Sequence, residues 1–251
     1  HMGKYALRRG LDCATPCIHE AKRNEVPLKA ARPRDPRTGR PVRLRLSRTH
    51  DMTMTGKRHG FHSTWRIGFD DDGRILALEA TLTADGGWSL DLSEPVLTRA
   101  MCHIDNAYWV PNIRVHGRVA KCHKTSQTAF RGFGGPQGVI VAERIIEEIA
   151  YATGQDTLAV RKANFYTHGQ LTPYHQPVED MILPQLIGEL EGSCDYAARR
   201  RAVLDWNARA DTTGGVIRRG IALTPVKFGI SFTATHFNQA GALVHLYADG
   251  S

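Results

Sequence analysis

The sequence predicts an α+β fold in which mixed sheets carry helices packed on one side. Strand-like alternation dominates the first part of the chain, a strong helical pattern occupies the middle, and strand-like patterns return near the end. Strands and helices segregated in this way are typical of the α+β class. The 251 residues, of which 41% are hydrophobic and 23% charged, are sufficient for a sizeable core.

Alternating segments predict the early strands. PVRLRLS (41–47) alternates as a strand whose arginines lie on a solvated face. STWRIGF (63–69) and RILALEATLTADGG (74–87) flank the turn residues 70–73, which predicts a β-hairpin with long arms. A loop-rich region interrupted by prolines follows, and another strand is expected over 115–120.

The best helix is predicted over 136–153, where apolar residues recur at helical spacing and Gly154 stands at the C-terminal cap. Further helices and then returning strands are expected; the helices are 157–165, 183–190 and 196–207, and the strands are 219–225, 229–235 and 241–247. Residues 248–251 are typical of a hairpin turn whose second arm is absent, so we expect that the chain has been cut there.

The basic excess of the chain lies in its first quarter. Residues 1–60 hold 15 lysines and arginines against 5 acidic residues, whereas residues 61–251 hold 18 against 20. Such a segment can bind nucleic acid, but alternation with aliphatic residues favours the exposed face of a strand. Nucleic-acid binding is therefore not the favoured interpretation, and residues 1–36 are interpreted as an irregular basic lead-in.

Several features bear on location and metal content. No apolar run approaches the roughly 20 residues that span a bilayer, and no secretory pattern is visible, so we expect a cytoplasmic protein without membrane contact. Five scattered cysteines suit a reducing compartment. Cys13, Cys17 and His19 lack a clear fourth ligand, so no metal site made by protein residues is predicted.

The run TAFRGFGGPQG (128–138) is the most informative stretch. Arg131 lies between Phe130 and Phe133 in a segment with four glycines, which permit positive φ and let backbone amides approach an anionic or planar ligand. Pro136 suits the first turn of a helix. From these residues alone two interpretations stay open: a loop that holds a ligand, or a glycine-rich turn that caps a helix.

Four stretches together resemble the molybdopterin-binding subunit of xanthine dehydrogenase, in the molybdenum hydroxylase family. These stretches are RTGRPVRLRLSRTHDMTMTGKRH (37–59), TRAMCHIDNAYWVPNIR (98–114), TAFRGFGGPQG (128–138) and KFGISFTATHFNQAGALVHLYADGS (227–251). The resemblance covers residues 37–251, which it implies are a partial molybdopterin-binding domain of two lobes that is incomplete relative to the family. It also implies hydroxylation of a purine (hypoxanthine or xanthine) at a molybdenum centre in purine catabolism, with water as the oxygen source.

The same resemblance implies cofactors and partners. The cofactor is molybdenum-molybdopterin, in which the pterin's dithiolene sulfurs hold the metal, so that no protein ligand is needed. FAD and iron–sulfur clusters are expected on a partner subunit or domain, which makes the full-length form a hetero-oligomer.

Site residues follow from the resemblance position by position. Arg99 matches the arginine that pairs with the polar edge of the purine, where planar donors meet carbonyl oxygens. Phe133 matches the ring stacked on the substrate, Phe232 the ring at its edge, and Thr233 a hydrogen-bonding neighbour. The residues that match the loop contacting molybdopterin are Phe130, Arg131 and Gly132. Without the resemblance, Arg99 is typical of a surface arginine and Phe232 of a core residue.

The chain departs from the family pattern at both ends. It lacks the GGGFGGKE block expected before residue 37, the GTEMGQG motif expected after residue 251, and the later glutamate that acts as general base. We therefore expect this fragment alone to be inactive. Two hypotheses stay open: part of a xanthine dehydrogenase molybdenum subunit, or a truncated or degenerate non-catalytic relative that serves as a fold or subunit-contact module.

Overall fold

A computed structural model describes residues 2–6, 45–231, 238, 240–242 and 244–250 of the chain. Its helices and strands follow one another in a mixed order. They are β1 (Met2–Ala6), α1 (Arg48–Met54), β2 (Phe61–Phe69), β3 (Ile75–Gly87), α2 (Ser93–Cys102), β4 (Ile113–Lys121), α3 (Gly135–Thr153), α4 (Thr157–Ala163), α5 (Leu183–Ser193) and α6 (Tyr196–Thr213).

The described strands form one mixed sheet in the order β1-β2-β3-β4. Strand β2 pairs antiparallel with β1 and β3, whereas β3 and β4 are parallel. The β2–β3 hairpin is the one predicted, and its turn closes with the Gly73 amide donating to the Asp70 carbonyl at 3.0 Å. Residues of β2 alternate between buried and accessible positions, as a strand with one covered face requires. The predicted α+β class is confirmed.

Helices α2 and α3 pack together, α2 also contacts β3 and β4, and α3 contacts β2. A Cβ added at Gly138 would lie only 2.3 Å from the Ala100 carbonyl oxygen, so glycine permits the close approach of the two helices. The fully buried apolar side chains come from the sheet, the helices and the turn after α2, and they include Ile67, Leu82, Ile104, Ile146 and Ile149. None of the helices in the described part of the chain combines the length and the apolar character that crossing a membrane requires.

A half-buried carboxylate on α3 joins three parts of the fold. Glu143 accepts hydrogen bonds from Arg161 Nε at 2.9 Å, from the Tyr108 hydroxyl at 2.5 Å and from Asn106 Nδ2 at 2.8 Å. Burial, reinforced by the neighbouring Glu143 charge, raises the pKa of Tyr108 and keeps its hydroxyl a donor. Because a buried charge is tolerated only with its partners in place, this cluster makes α4 dependent on α3.

Two helices occupy regions for which the sequence predicted other structure. The strand predicted over 41–47 is wrong for residues 45–47, which lead into α1; residues 41–44 lie outside the described part. Ser47 is the N-cap of α1 and accepts from the His50 amide at 3.3 Å, which explains why the alternation stops there. Helix α2 lies in the expected loop-rich region, because Pro95 falls in the first turn of a helix, where proline is tolerated.

The strands predicted near the end are largely wrong. Residues 219–225, 229–231 and the described residues of 241–247 have no regular secondary structure; the remainder of 229–235 lies outside the description. An alternating pattern becomes a strand only when it pairs with another, and these residues pair with none of the described strands. The predicted turn at the end is confirmed in its described part, where the Gly250 amide donates to the Tyr247 carbonyl at 2.9 Å.

The N-terminal segment begins with a strand. Residues 2–6 belong to the expected irregular lead-in, but they pair with β2, whose outer edge offers unpaired amides and carbonyls. Residues 7–36, and with them Cys13, Cys17 and His19, lie outside the described part of the chain.

Replacement of Arg161 by Met should lower the free energy of unfolding by about 2–3 kcal/mol, because it leaves the half-buried Glu143 carboxylate without its cation. The matched control is Arg144→Met on α3. Arg144 pairs with Glu148 at 2.8 Å but its side chain is 45% exposed, so its loss should cost less than about 1 kcal/mol. Urea unfolding measures both, and equal losses would contradict the buried-cluster account.

Candidate functional site

The glycine-rich loop ends at the start of α3 and follows an unusual backbone path. Gly132, Phe133 and Gly134 have φ angles of 89°, 49° and 100°, three consecutive residues in the left-handed region. The amides of Phe133 and Gly135 donate back to the carbonyls of Phe130 and Gly132 at 2.7 and 2.9 Å. The loop is therefore a tight double turn that caps α3, with Gly134 as its N-cap.

A backbone carbonyl and an aromatic ring leave little room for a side chain at two of these glycines. A Cβ at Gly134 would lie 1.9 Å from the Val96 carbonyl oxygen of α2. A Cβ at Gly135 would lie 2.3 Å from Cε2 of Phe228, which approaches from a distant part of the chain. The loop is thus wedged between α2 and the segment 225–231.

Arg58 supports the loop from a third side. Its guanidinium carbon lies 4.2 Å from the centroid of the Phe130 ring, and its Nη2 donates to the Arg131 carbonyl oxygen at 2.7 Å. The Phe130 ring is buried, whereas the Arg131 side chain is exposed. No local pattern links Arg58 to a loop 73 residues later, so sequence reasoning missed its role.

Arg99 lies in the last turn of α2 and is only 3% exposed. Its Nη1 and Nη2 donate to the carbonyl oxygens of Gly229 and Ser231, and its Nε has no hydrogen-bond partner among the described residues. Burial lowers the pKa of Arg99, because a desolvated cation is disfavoured. The interpretation of Arg99 as a surface arginine is wrong, because the segment 225–231 covers it.

Two aromatic rings flank this guanidinium. The Arg99 guanidinium carbon is 5.8 Å from the centroid of the Phe133 ring and 5.4 Å from that of the Phe228 ring. The structure therefore brings two of the predicted site residues, Arg99 and Phe133, to one place. Phe232 and Thr233 lie outside the described residues. Phe228 was missed, although an aromatic residue four positions before Phe232 in the same run was a usable signal.

A buried histidine ties the residues after α1 to the starts of α2 and α3. His59 Nε2 lies 2.8 Å from Ser93 Oγ, and its carbonyl accepts from Gln137 Nε2 at 3.3 Å. Burial lowers the pKa of His59 to about 4, although the charges of Asp85 and Asp91 oppose the shift. Because His59 and Ser93 are both buried, this pair has no access to a substrate and acts as a structural link.

We expect Gly134→Ala to lower the free energy of unfolding by about 3 kcal/mol or more, since left-handed strain and a backbone clash add together. The control is Gly154→Ala, because Gly154 also has a positive φ of 71° but a Cβ there would meet nothing within 4 Å. The control should cost about 1 kcal/mol. Thermal unfolding compares the two, and a Gly134 variant as stable as the control would refute the close contact.

The buried His59 should make stability depend on pH. The pKa of His59 is depressed in the folded chain from the ordinary value of 6.5. Its contribution to the free energy of unfolding is therefore complete above pH 6.5 and is lost as the pH falls from there through about 4. The loss over that window corresponds to about 3 kcal/mol. In urea unfolding, His59→Gln should flatten this dependence, whereas the control His62→Gln, at an exposed position of β2, should leave it unchanged. Identical curves for all three chains would count against this account.

Comparison with known proteins gives a consistent family. Residues 36–165, more than half of the chain, match a family described as molybdopterin cofactor-binding domain, and residues 189–251 match a second family of the same description. The xanthine dehydrogenase/oxidase of Felis catus is 44% identical over 226 residues, which are 90% of this chain and 16% of that protein. The xanthine dehydrogenase of Emericella nidulans is 45% identical over 212 residues, which are 84% of this chain and 15% of that protein.

Solved structures agree with the sequence comparison. The aldehyde oxidoreductase from Desulfovibrio gigas is similar with a TM-score of 0.62 and 31% identity, over 67% of this chain and 18% of that chain. Quinoline 2-oxidoreductase from Pseudomonas putida is similar with a TM-score of 0.60 and 25% identity, over 68% and 23%. The chain spans about a sixth of the length of its curated relatives. The chain belongs to the molybdopterin cofactor-binding domain family, and its sequence resembles the molybdopterin-binding part of xanthine dehydrogenases.

Proposed function

We propose that this chain forms part of the active site of a xanthine dehydrogenase-type molybdenum hydroxylase. In this proposal residues 130–132 contact molybdopterin, and Arg99 and Phe133 position a purine ring. The observation that carries the proposal is the meeting of a buried guanidinium and an aromatic ring beside a loop of consecutive left-handed residues. Family membership supports the same assignment.

The residues present fit molybdopterin, an anionic cofactor with a flat ring system. Gly132 offers bare, half-buried backbone, and a Cβ there would lie 2.5 Å from Cγ of the Pro136 ring. The exposed guanidinium of Arg131 and the N-terminal end of the 19-residue helix α3 both favour negative charge. When bound, the cofactor supplies the metal at which oxygen transfer and two-electron uptake take place. Phe130, buried under Arg58, supports the loop from below.

The Arg99 guanidinium suits recognition of an oxidised purine. The two acceptors that it binds here, the Gly229 and Ser231 carbonyls, are chemically similar to the ring carbonyl oxygens of hypoxanthine and xanthine. Its buried position strengthens such hydrogen bonds, and the Phe133 ring offers a face for stacking. Phe232 and Thr233 directly follow Ser231 in the chain, and we assign to them the edge contact and a hydrogen bond to the substrate.

The rest of the proposed reaction depends on groups outside this chain. Water is the proposed oxygen source, and the general-base glutamate, FAD and iron–sulfur clusters are assigned to other parts of a hetero-oligomeric cytoplasmic enzyme of purine catabolism. Residues 37–251 are proposed as the partial molybdopterin-binding domain, with 1–36 as a preceding segment. The 251 residues alone are accordingly proposed to be inactive.

A second candidate is a non-catalytic relative that retains the fold as a subunit-contact module. One observation favours it: both Nη groups of Arg99 already bind backbone carbonyls, which is what a purely structural arginine does. The two candidates differ in cofactor content and in the effect of removing the guanidinium.

The test uses the longest natural gene product that contains this sequence, isolated with its partner proteins. It should contain molybdenum and pterin and should hydroxylate hypoxanthine. Arg99→Met should lower kcat/KM for hypoxanthine by about 100-fold or more, because the purine oxygen loses its donor, but lower kcat/KM for benzaldehyde by less than about tenfold. The control Arg118→Met removes an exposed arginine of β4 and should change neither value.

Each alternative outcome has a distinct meaning. Equal losses for the purine and the aldehyde would assign Arg99 a structural role. A correctly folded gene product without molybdenum and pterin would overturn the proposed function in favour of the contact module.

A further inference from the structure

The segment 225–231 is fastened to the end of α2 and to the turn that follows it. Six hydrogen bonds to this segment are made by four residues that we call the α2 clasp: Arg99, His103, Asp105 and Asn106. All four are at most 4% exposed. Such dense polar anchoring of a segment without regular secondary structure indicates that its position matters.

Asp105 and Asn106 hold the first half of the segment. Asn106 Nδ2 donates to the Pro225 carbonyl at 2.9 Å, and its Oδ1 accepts from the Lys227 amide at 3.1 Å. The Lys227 ammonium group donates to Asp105 Oδ2, which also accepts from the Tyr166 hydroxyl at 2.6 Å. These contacts fix the backbone just before Phe228.

His103 holds the second half, and its partners determine its protonation state. Its Nε2 lies 2.9 Å from the Gly229 amide, which can only donate, so Nε2 carries no proton. Its Nδ1 lies 2.8 Å from the Arg99 carbonyl oxygen, which can only accept, so Nδ1 carries the proton. The ring is therefore neutral, in one tautomer, and it bridges Arg99 to the segment that covers the Arg99 guanidinium.

The groups around His103 oppose a second proton. Burial is the largest cause that lowers the pKa of His103, and the cations Arg99 and Lys227 lower it further. The hydrogen bond to the Arg99 carbonyl and the charge of Asp105 raise it, but by less. The Phe228 ring packs on the imidazole, with 5.0 Å between centroids. A proton on Nε2 would point at the Gly229 N–H group, so the hydrogen bond would be lost and replaced by the repulsion of two donors.

We propose that His103 is a positioning residue: its neutral ring holds Gly229, and with it the segment 225–231, over the Arg99 guanidinium. Protonation of His103 releases this segment. The assignment deepens the proposed function, because it rests on Phe232 and Thr233 meeting the substrate, but the geometry of the hold belongs to this chain alone. The position of the segment 225–231, which Phe232 and Thr233 follow in the sequence, is thereby coupled to one proton.

Amide hydrogen exchange of the 251-residue chain tests the proposal between about pH 4 and about pH 7.5, with rates corrected for the intrinsic effect of pH. The protection of the Gly229 amide should fall by at least about tenfold as the pH drops through the depressed pKa of His103. Amides of the β2–β3 hairpin serve as the internal reference, because they report the loss of global stability that His59 also causes over this pH range, and the Gly229 loss is counted beyond theirs. The imidazole resonances of His103 report its titration in the same samples.

Two variants separate the roles of the two ring nitrogens. His103→Gln places an amide group near the Nε2 position, so it should keep Gly229 protected and remove the acid-dependent loss. His103→Asn reaches only the Nδ1 position, so Gly229 should be about tenfold less protected at every pH. The two changes are matched in polarity and differ in which contact they retain.

A Gly229 protection that does not follow the titration of His103 in the unmodified chain would overturn the proposal, and so would equal exchange in the Gln and Asn variants. If a variant lost the reference protection as well, the acid titration of the unmodified chain would still decide. None of these measurements requires molybdopterin, so their failure is distinct from failure of the proposed function.

Discussion

The close approach of α2 to the glycine-rich start of α3 is the constraint on which the rest of the site depends. Gly134 and Gly138 bring their backbones against carbonyl oxygens of Val96 and Ala100, so neither position has room for a side chain. Packing this tight leaves no alternative placement for α3, and the loop before it must turn through consecutive left-handed residues to reach its start. The geometry of the loop is therefore a consequence of helix packing.

The same approach determines where the buried charge lies. Arg99 is one residue before Ala100 and thus projects beside the loop, where water is excluded and the guanidinium needs acceptors. Within the described residues, the segment 225–231 provides them through two backbone carbonyls. An arginine in this position consequently recruits a distant part of the chain, and His103 extends the attachment by one helical turn.

Sequence patterns predicted what depends on local periodicity. Helix α3 and the β2–β3 hairpin have clear 3.6-residue and two-residue repeats, and both were located within a few residues. Helix α2 was missed because it is short and includes Pro95, and the residues 219–225 were misassigned because alternation says nothing about a missing partner strand. Local rules failed where tertiary contacts decide.

The site shows the same division. The resemblance singled out Arg99 and Phe133, and they lie together, but no pattern in the residues themselves indicated that Arg99 is buried. Arg58 and His103 act through partners 73 and 126 residues away, distances at which a single sequence carries no pairing signal. Their roles became visible only once the fold had brought the segments together.

The two initial interpretations of the glycine-rich loop are not exclusive. Gly134 caps α3 and makes the close contact with α2, while Arg131 and half-buried Gly132 remain accessible on the other side of the turn. Structural need thus accounts for Gly134 and Gly135 without any ligand, and their presence is no evidence for cofactor binding. The observation that favours a binding role is the buried Arg99 guanidinium, which lies beside the Phe133 ring and whose Nε has no partner in the described part of the chain.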